Sequence, residues 1–479
     1  MDKNELFLSC RKGDLGRVRY LVEQKEVDLN IRDKWDSTPL YYACLCGHHD
    51  LVQYLLEHGA HCEANTFDGE RCLYGALDVQ IRSLLKNFKV VTSKILKHDK
   101  YEEFFQRYLE TGEYSDVYFV VHGESLPVHR CILSARCEYF REMFTGKWTH
   151  RKTIHISNPL VTIKAFKAVL EYLYAGRLEI HFNDIEDCIV LAKQCGLQNL
   201  IDEIEEGVRK VRLFECTKPG THITTLLVES ESHSTDLQQD FGALAEQTLP
   251  EELCNWVGGN ELPFLPNLKQ LPFSDLCISV GGHKFQCHKV FFCGRSDYFR
   301  ALVADHFGET EQLDVADVQL ITLHDIKVEI FVQVLYYIYT NTAKLVPADV
   351  FDVLCAADIY LLPGLKRQCA VVIGQHLDIT NVVYMLKLAR MYELPRLEDQ
   401  CTEFMAKFLE QIIGNSEFQS LVQSDAQEVQ HREETDTIAV IDDIRFHITN
   451  NVQTFSAMED ANEKLKLIDK LLETLDLDA

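Results

Sequence analysis

Two histidines invite a chemical reading, because each stands beside a cation: His129 next to Arg130, and His288 next to Lys289. A histidine poised near neutral pH can move protons. Catalysis would also need a nucleophile or a second acid–base group in a recognisable frame, and none is present. The chain contains no G-x-S-x-G and no H-E-x-x-H. Gly146-Lys147-Trp148 lacks both the upstream glycine and the following Ser/Thr of a phosphate loop. Cys44-Leu45-Cys46 comes nearest to metal-ligand spacing, but it has no second ligand pair and no C-x-x-C occurs anywhere. The expectation is a non-enzymatic chain with no catalytic residue, metal or cofactor. His129 and His288 then read as packing and hydrogen-bonding groups beside a strand hairpin.

What positions them is a duplication. Ser115-Asp116-Val117 aligns with Ser274-Asp275-Leu276 at an offset of 159 residues, which His129/His288, Arg136/Arg295 and Tyr139-Phe140/Tyr298-Phe299 keep. From Phe166/Phe331 the offset is 165, held through Leu170/Leu335, Tyr174/Tyr339 and Leu200/Leu365. Such a unit is too long for a solenoid repeat and is a whole domain. In copy one, Val117 to Val121 reads as a strand, His122-Gly123 as its turn and Leu126 to Val128 as the return. Helical patterns follow at 130–145, 163–174 and 184–211. Copy two repeats this order, with helices at 289–304, 326–339 and 347–374. Hairpin strands followed by helices give an α+β domain.

A smaller repeat precedes the copies. Ser9-Cys10-Arg11-Lys12-Gly13 aligns with Ala43-Cys44-Leu45-Cys46-Gly47 at an offset of 34, and Leu40/Leu73 with Ala43/Ala76 at 33. Thr38-Pro39 starts a helix, Gly47 turns it, Leu51, Val52, Leu55 and Leu56 form the apolar stripe of the next, and Gly59 ends that one. This pattern resembles the ankyrin repeat, with two good copies and one degenerate one. The turn residues Lys34, Trp35 and Asp36, with Phe67 at the next turn, are candidate client-binding residues. Trp35 reads either as a loop-tip anchor or as packing on the neighbouring loop.

The chain of 479 residues carries a net charge of −26, which argues against nucleic acid as a partner. With no apolar leader and no run of about 18 apolar residues, membrane insertion is not expected and a cytoplasmic location is. The 17 cysteines, an odd number scattered through regular patterns, read as reduced thiols.

The large copies resemble the BTB/POZ domain. The match rests on the Ser-Asp-Val/Leu start, the His-Arg/Lys before the first helix, the Ser/Gly-x-Arg … Tyr-Phe run and the Phe-x-x-Val-Leu-x-Tyr-Leu/Ile-Tyr helix. The resemblance implies a charged pair in each copy, Asp116 with Arg130 and Asp275 with Lys289, supporting the fold or contacting a ligand near a dimer surface. It also implies a cullin-binding motif, apolar-x-Glu after seven residues beyond Tyr-Phe. Copy two has Phe307-Gly308-Glu309 there, whereas copy one has Trp148-Thr149-His150 without the acceptor. The second copy is thus expected to bind cullin-3.

The expected organisation is multidomain: α-helical ankyrin repeats at 1–80, a helical cap at 81–113, and α+β BTB/POZ domains at 114–212 and 271–375. A partly ordered linker at 213–270 separates the copies, and a helical extension at 376–479 ends in one long acidic amphipathic helix. The expected function is a cullin-3 ubiquitin-ligase adaptor that holds a protein client through the ankyrin repeats. The alternative is a scaffold in growth or developmental signalling without ligase function. Intramolecular pairing of the two BTB copies is favoured over a homodimer, because the linker keeps them at high effective concentration.

Overall fold

The N-terminal repeats comprise α1 (Asp2–Lys12), α2 (Leu15–Arg19) with a π-helical turn at Tyr20–Gln24, α3 (Pro39–Cys46), α4 (His49–Glu57), α5 (Phe67–Gly75) and α6 (Val79–Asn87). The computed structural model describes residues 2–25, 27–62, 66–87, 100–218, 223–229, 233–250, 252–253, 273–304, 318–429, 438–450, 455–475 and 477. The chain divides into two units, Met1–Asp325 with Ile338–Thr340, and Ile326–Tyr337 with Asn341–Ala479.

In the repeats, Thr38 Oγ1 accepts the Tyr41 N–H at 3.3 Å and Thr66 Oγ1 accepts the Gly69 N–H at 3.2 Å, so each inner helix starts on a threonine cap. Pro39 sits where no intrahelical hydrogen bond is lost. Gly47 ends α3 at φ 79°, a left-handed conformation that a side chain would strain. Leu51, Val52, Leu55 and Leu56 of α4 are buried with Leu40, Ala43 and Cys72.

Next come α7 (Lys100–Thr111) and the first copy: β1 (Val117–Val121), β2 (Glu124–Val128), α8 (Arg130–Arg136), α9 (Glu138–Thr145), β3 (Thr153–Ile156), α10 (Ile163–Ala175), β4 (Arg177–His181), α11 (Ile185–Cys195) and α12 (Gln198–Thr217). His122 and Gly123, at φ 49° and 90°, make the tight turn between β1 and β2. β3 returns parallel to β1, giving the order β2-β1-β3.

Between the copies lie β5 (Thr225–Glu229), which pairs antiparallel with β4, and α13 (His233–Gln247). The second copy follows with β6 (Leu276–Val280), β7 (His283–Cys287), α14 (Lys289–Arg295), α15 (Asp297–Ala304), β8 (Gln319–Leu323) and α16 (Val328–Thr340). Its strand order, β7-β6-β8, repeats that of the first copy.

The helices leading into the copies cross over. α7 leads into copy one and packs on its α10 and β2, but also on α14 of copy two, and α13 packs on α8 of copy one. Phe105 of α7 stacks on Phe241 of α13 with centroids 5.0 Å apart, and both meet Phe291 of α14, at 5.9 and 5.2 Å. Arg136 of α8 pairs with Asp240 of α13, and Tyr101 donates to the Tyr339 carbonyl.

The second unit contains α17 (Val350–Ile359), α18 (Pro363–Gly374), α19 (Val382–Met391), α20 (Pro395–Lys407), α21 (Leu409–Ile412), α22 (Ser416–Val429), α23 (Ala439–Asn450) and α24 (Phe455–Thr474). Leu361 and Glu393, at φ 53° and 54°, make equivalent turns before the proline-initiated α18 and α20. Arg390 donates to Glu398 at 2.8 Å and to both Asp425 oxygens at 2.8 and 3.0 Å, tying α19 to α20 and α22. The chain closes on the 20-residue helix α24. Val440, Ile441, Ile444 and Ile448 are buried and give α23 its own apolar face, which packs on α20, and α24 follows it as a separate helix.

Candidate functional site

His129 and His288 are buried inside their copies. His129 Nδ1 lies 2.8 Å from the Tyr174 hydroxyl and Nε2 lies 2.7 Å from the Glu113 carbonyl. His288 Nδ1 lies 2.8 Å from the Tyr339 hydroxyl. Each hydroxyl also accepts the histidine's backbone N–H. These are the bonds that hold the hairpin to the helix behind it. Burial pushes the His129 imidazole down to about 4, so it stays neutral at physiological pH.

The charged residues begin the first helix of each copy. Asp116 Oδ1 accepts the Arg130 N–H at 2.9 Å and Asp275 Oδ1 accepts the Lys289 N–H at 2.7 Å. A carboxylate at a helix N-terminus satisfies an orphan donor and complements the dipole. Arg130 Nε stands 3.9 Å from Asp116 Oδ2, while its Nη2 donates to the Arg151 carbonyl at 2.7 Å. Both carboxyls are raised, chiefly by burial. Asp275 is pushed up to about 6, with the negative charge of Asp116 adding to the rise.

After Tyr139-Phe140, the Trp148 side chain is turned inward. It is 8% exposed and its ring lies 5.7 Å from Phe119 and 5.8 Å from Phe144. Its counterparts in copy two, Phe307 and Glu309, lie outside the described residues.

The four client-binding candidates divide. Trp35 is 59% exposed, with Lys34 Nζ 4.2 Å over its ring. Asp36 and Phe67 instead face α12: Asp36 Oδ2 lies 3.3 Å from Lys210 Nζ, and Phe67 meets Phe214 edge-on at 5.5 Å. Tyr74 joins them, 6.5 Å from Phe214 and 4.8 Å from Lys218 Nζ. Lys210 and Phe214 were not singled out by sequence, although their four-residue spacing near the end of a helix is a legible signal, and Lys218 follows at the helix end.

Among the described residues, no group of three or more His, Cys, Asp or Glu side chains is placed to hold a metal ion, and no helix is long and apolar enough to cross a membrane.

The pattern of the BTB/POZ domain matches residues 105–211 and 265–377, and that of ankyrin repeats, in three copies, matches residues 2–76. BTB/POZ domain-containing protein 3 of Schizosaccharomyces pombe is 30% identical over 501 aligned positions, covering 99% of this chain and 90% of that protein. The chain belongs to the BTB/POZ domain family. An ankyrin repeat-containing protein of Saccharomyces cerevisiae is 27% identical, over 94% of this chain and 90% of its own length. TD and POZ domain-containing protein 1 of Mus musculus is 30% identical over 154 positions, 32% of this chain. Ankyrin repeats and BTB/POZ domains are protein-interaction modules, so this BTB/POZ chain is an interaction adaptor.

Proposed function

We propose that this non-enzymatic adaptor serves a cullin-3 ubiquitin ligase in the cytoplasm, with a layout resembling ankyrin repeat and BTB/POZ domain-containing protein 1. The second BTB copy holds cullin-3 through Phe307 and Glu309, and the ankyrin repeats hold the client. The adaptor acts by proximity, raising the concentration of client lysines near the transferred ubiquitin. The two BTB copies pair within one chain through α7 and α13, so no second chain is needed. Trp148 carries the assignment of roles: packed inward, it cannot offer a partner the hydrophobe that the recruiting loop requires, which leaves recruitment to copy two.

The test is retention of cullin-3 by the full chain. Phe307→Ala with Glu309→Ala should abolish it while leaving the size-exclusion profile unchanged. A wild-type chain that never retains cullin-3 removes the ligase reading and leaves a scaffold.

A further inference from the structure

We propose that the last turns of α12 occupy a partner-binding face of the ankyrin repeats. The partner this face takes is an amphipathic helix presenting a basic and an aromatic side chain at i and i+4, with a second basic residue where the helix ends. The inference rests on the reading that the ankyrin repeats hold the client.

Lys210 and Phe214 project from one face of α12, because residues four apart are stacked along a helix, and Lys218 follows as the residue that ends it, at φ −130° and ψ 82°. Each meets a matching group. Lys210 Nζ lies 3.3 Å from Asp36 Oδ2, Phe214 meets the edges of Phe67 and Tyr74 at 5.5 and 6.5 Å, and Lys218 Nζ sits 4.8 Å over the Tyr74 ring. The receiving face spans two repeats, with Asp36 in the turn before α3 and Phe67 and Tyr74 seven residues apart on α5. Arg71 holds it in place from behind. Its guanidinium lies 5.2 Å from the Phe67 ring and 5.0 Å from the Tyr41 ring, and it donates to the Asp36 carbonyl and, at 3.0 Å, to Ser37 Oγ. The aromatic seat, whose carboxylate Asp36 also lies 3.4 Å from Arg32 Nη1, is therefore built without α12.

The BTB/POZ domain does not require this contact. The family pattern ends at residue 211, before Phe214 and Lys218. The buried residues of α12 are Leu200, Ile201, Ile204 and Val211, and Leu213 beyond them is 68% exposed. The Lys210–Asp36 pair is itself 46% and 29% exposed, the kind of contact that solvent screens and a competitor displaces. Covalent linkage gives α12 a high effective concentration, so it wins against a weak external helix until it is released.

The probe is a fluorescent synthetic peptide of residues 203–218, with Cys216→Ser and a side-chain cross-link on the opposite face to hold it helical. It is titrated by anisotropy into the full chain, both wild type and Lys210→Glu with Phe214→Ala. The variant should bind at least tenfold more tightly than wild type. A Phe214→Ala peptide should lose that binding, as should Asp36→Lys added to the variant. The proposal is overturned if the variant binds no better than wild type, if the Phe214→Ala peptide binds equally, or if Asp36→Lys changes nothing. Circular dichroism checks that each chain is folded, and Lys210→Glu alone replaces the double variant if that one is not. If Asp36→Lys abolishes client capture while the peptide fails to bind, the ankyrin reading survives and the self-occupied face does not. If the peptide binds and no client is captured, the reverse holds.

Discussion

Gly294 of α14 faces Phe104 of α7 so closely that a Cβ placed on it would stand 2.8 Å from the ring, and 2.9 Å from the ring of Tyr108. The helix that leads into the first copy thus lies against the first helix of the second copy, at a point where only glycine leaves room. The corresponding residue of copy one is Ala135.

Gly294→Val should lift α7 from this seat. Overpacking of this kind costs about 1–3 kcal/mol. Urea denaturation should show a lowered midpoint, whereas Ala135→Gly should shift it far less.

Phe241→Ala removes the ring shared by Phe105 and Phe291. Truncating a buried phenylalanine costs about 3–5 kcal/mol. The internal pairing should loosen, and light scattering should show a mass that rises with concentration. The wild type should stay near its chain mass of 55.2 kDa. A wild-type mass of twice that value would contradict pairing within the chain.

Asp275 gives a pH test with a definite sign. Its folded carboxyl is raised from 3.8 to about 6, chiefly by burial. The folded state therefore holds a proton that the unfolded state releases, and the group's contribution is fully favourable below about 4 and lost as pH rises through about 6. Asp275→Asn keeps an acceptor for the Lys289 N–H and removes the charge. It should stabilise the chain at pH 7.5 by an amount on the order of 2 kcal/mol, with the gain vanishing towards pH 4. His129, held down to about 4, works in the opposite sense: stability rises as pH increases from about 4 through 6.5. The difference between wild type and Asp275→Asn across pH isolates the carboxyl.

Arg390→Leu strands Asp425, which is 8% exposed and receives two hydrogen bonds from that guanidinium. An unpaired buried carboxylate costs about 3 kcal/mol. Hydrogen exchange in α19, α20 and α22 should accelerate, and Asp425→Asn in the same chain should restore part of the protection.

Local chemistry made much of the fold legible. Thr38-Pro39 and Gly47 mark helix ends by capping and left-handed geometry, and the His122-Gly123 and Gly281-Gly282 turns announce their hairpins. The duplication could be followed because Tyr174 and Tyr339 must stay in register with the histidines they bond. Orientation was not legible. Counting from Phe140 locates Trp148, but nothing local says that its ring turns into the core. The crossing of α7 and α13 depends on partners far along the chain, and Phe214 lies past the apolar stripe that marks the domain's end. The separate helix α23 was not marked by sequence, although its buried Val440, Ile441, Ile444 and Ile448 recur at helical spacing.

The bond from Tyr101 to Tyr339 joins positions 238 residues apart, and the aromatic face of α7 waits for partners in the second copy. At about 5–20 residues per second, a ribosome needs roughly ten seconds to most of a minute to supply them. Throughout that interval the nascent first copy carries an uncovered row of aromatic rings. This adaptor therefore completes its lead helix's packing only late in synthesis: the contacts with α10 and β2 of the first copy form early, and those with the second copy depend until then on chaperones or on speed.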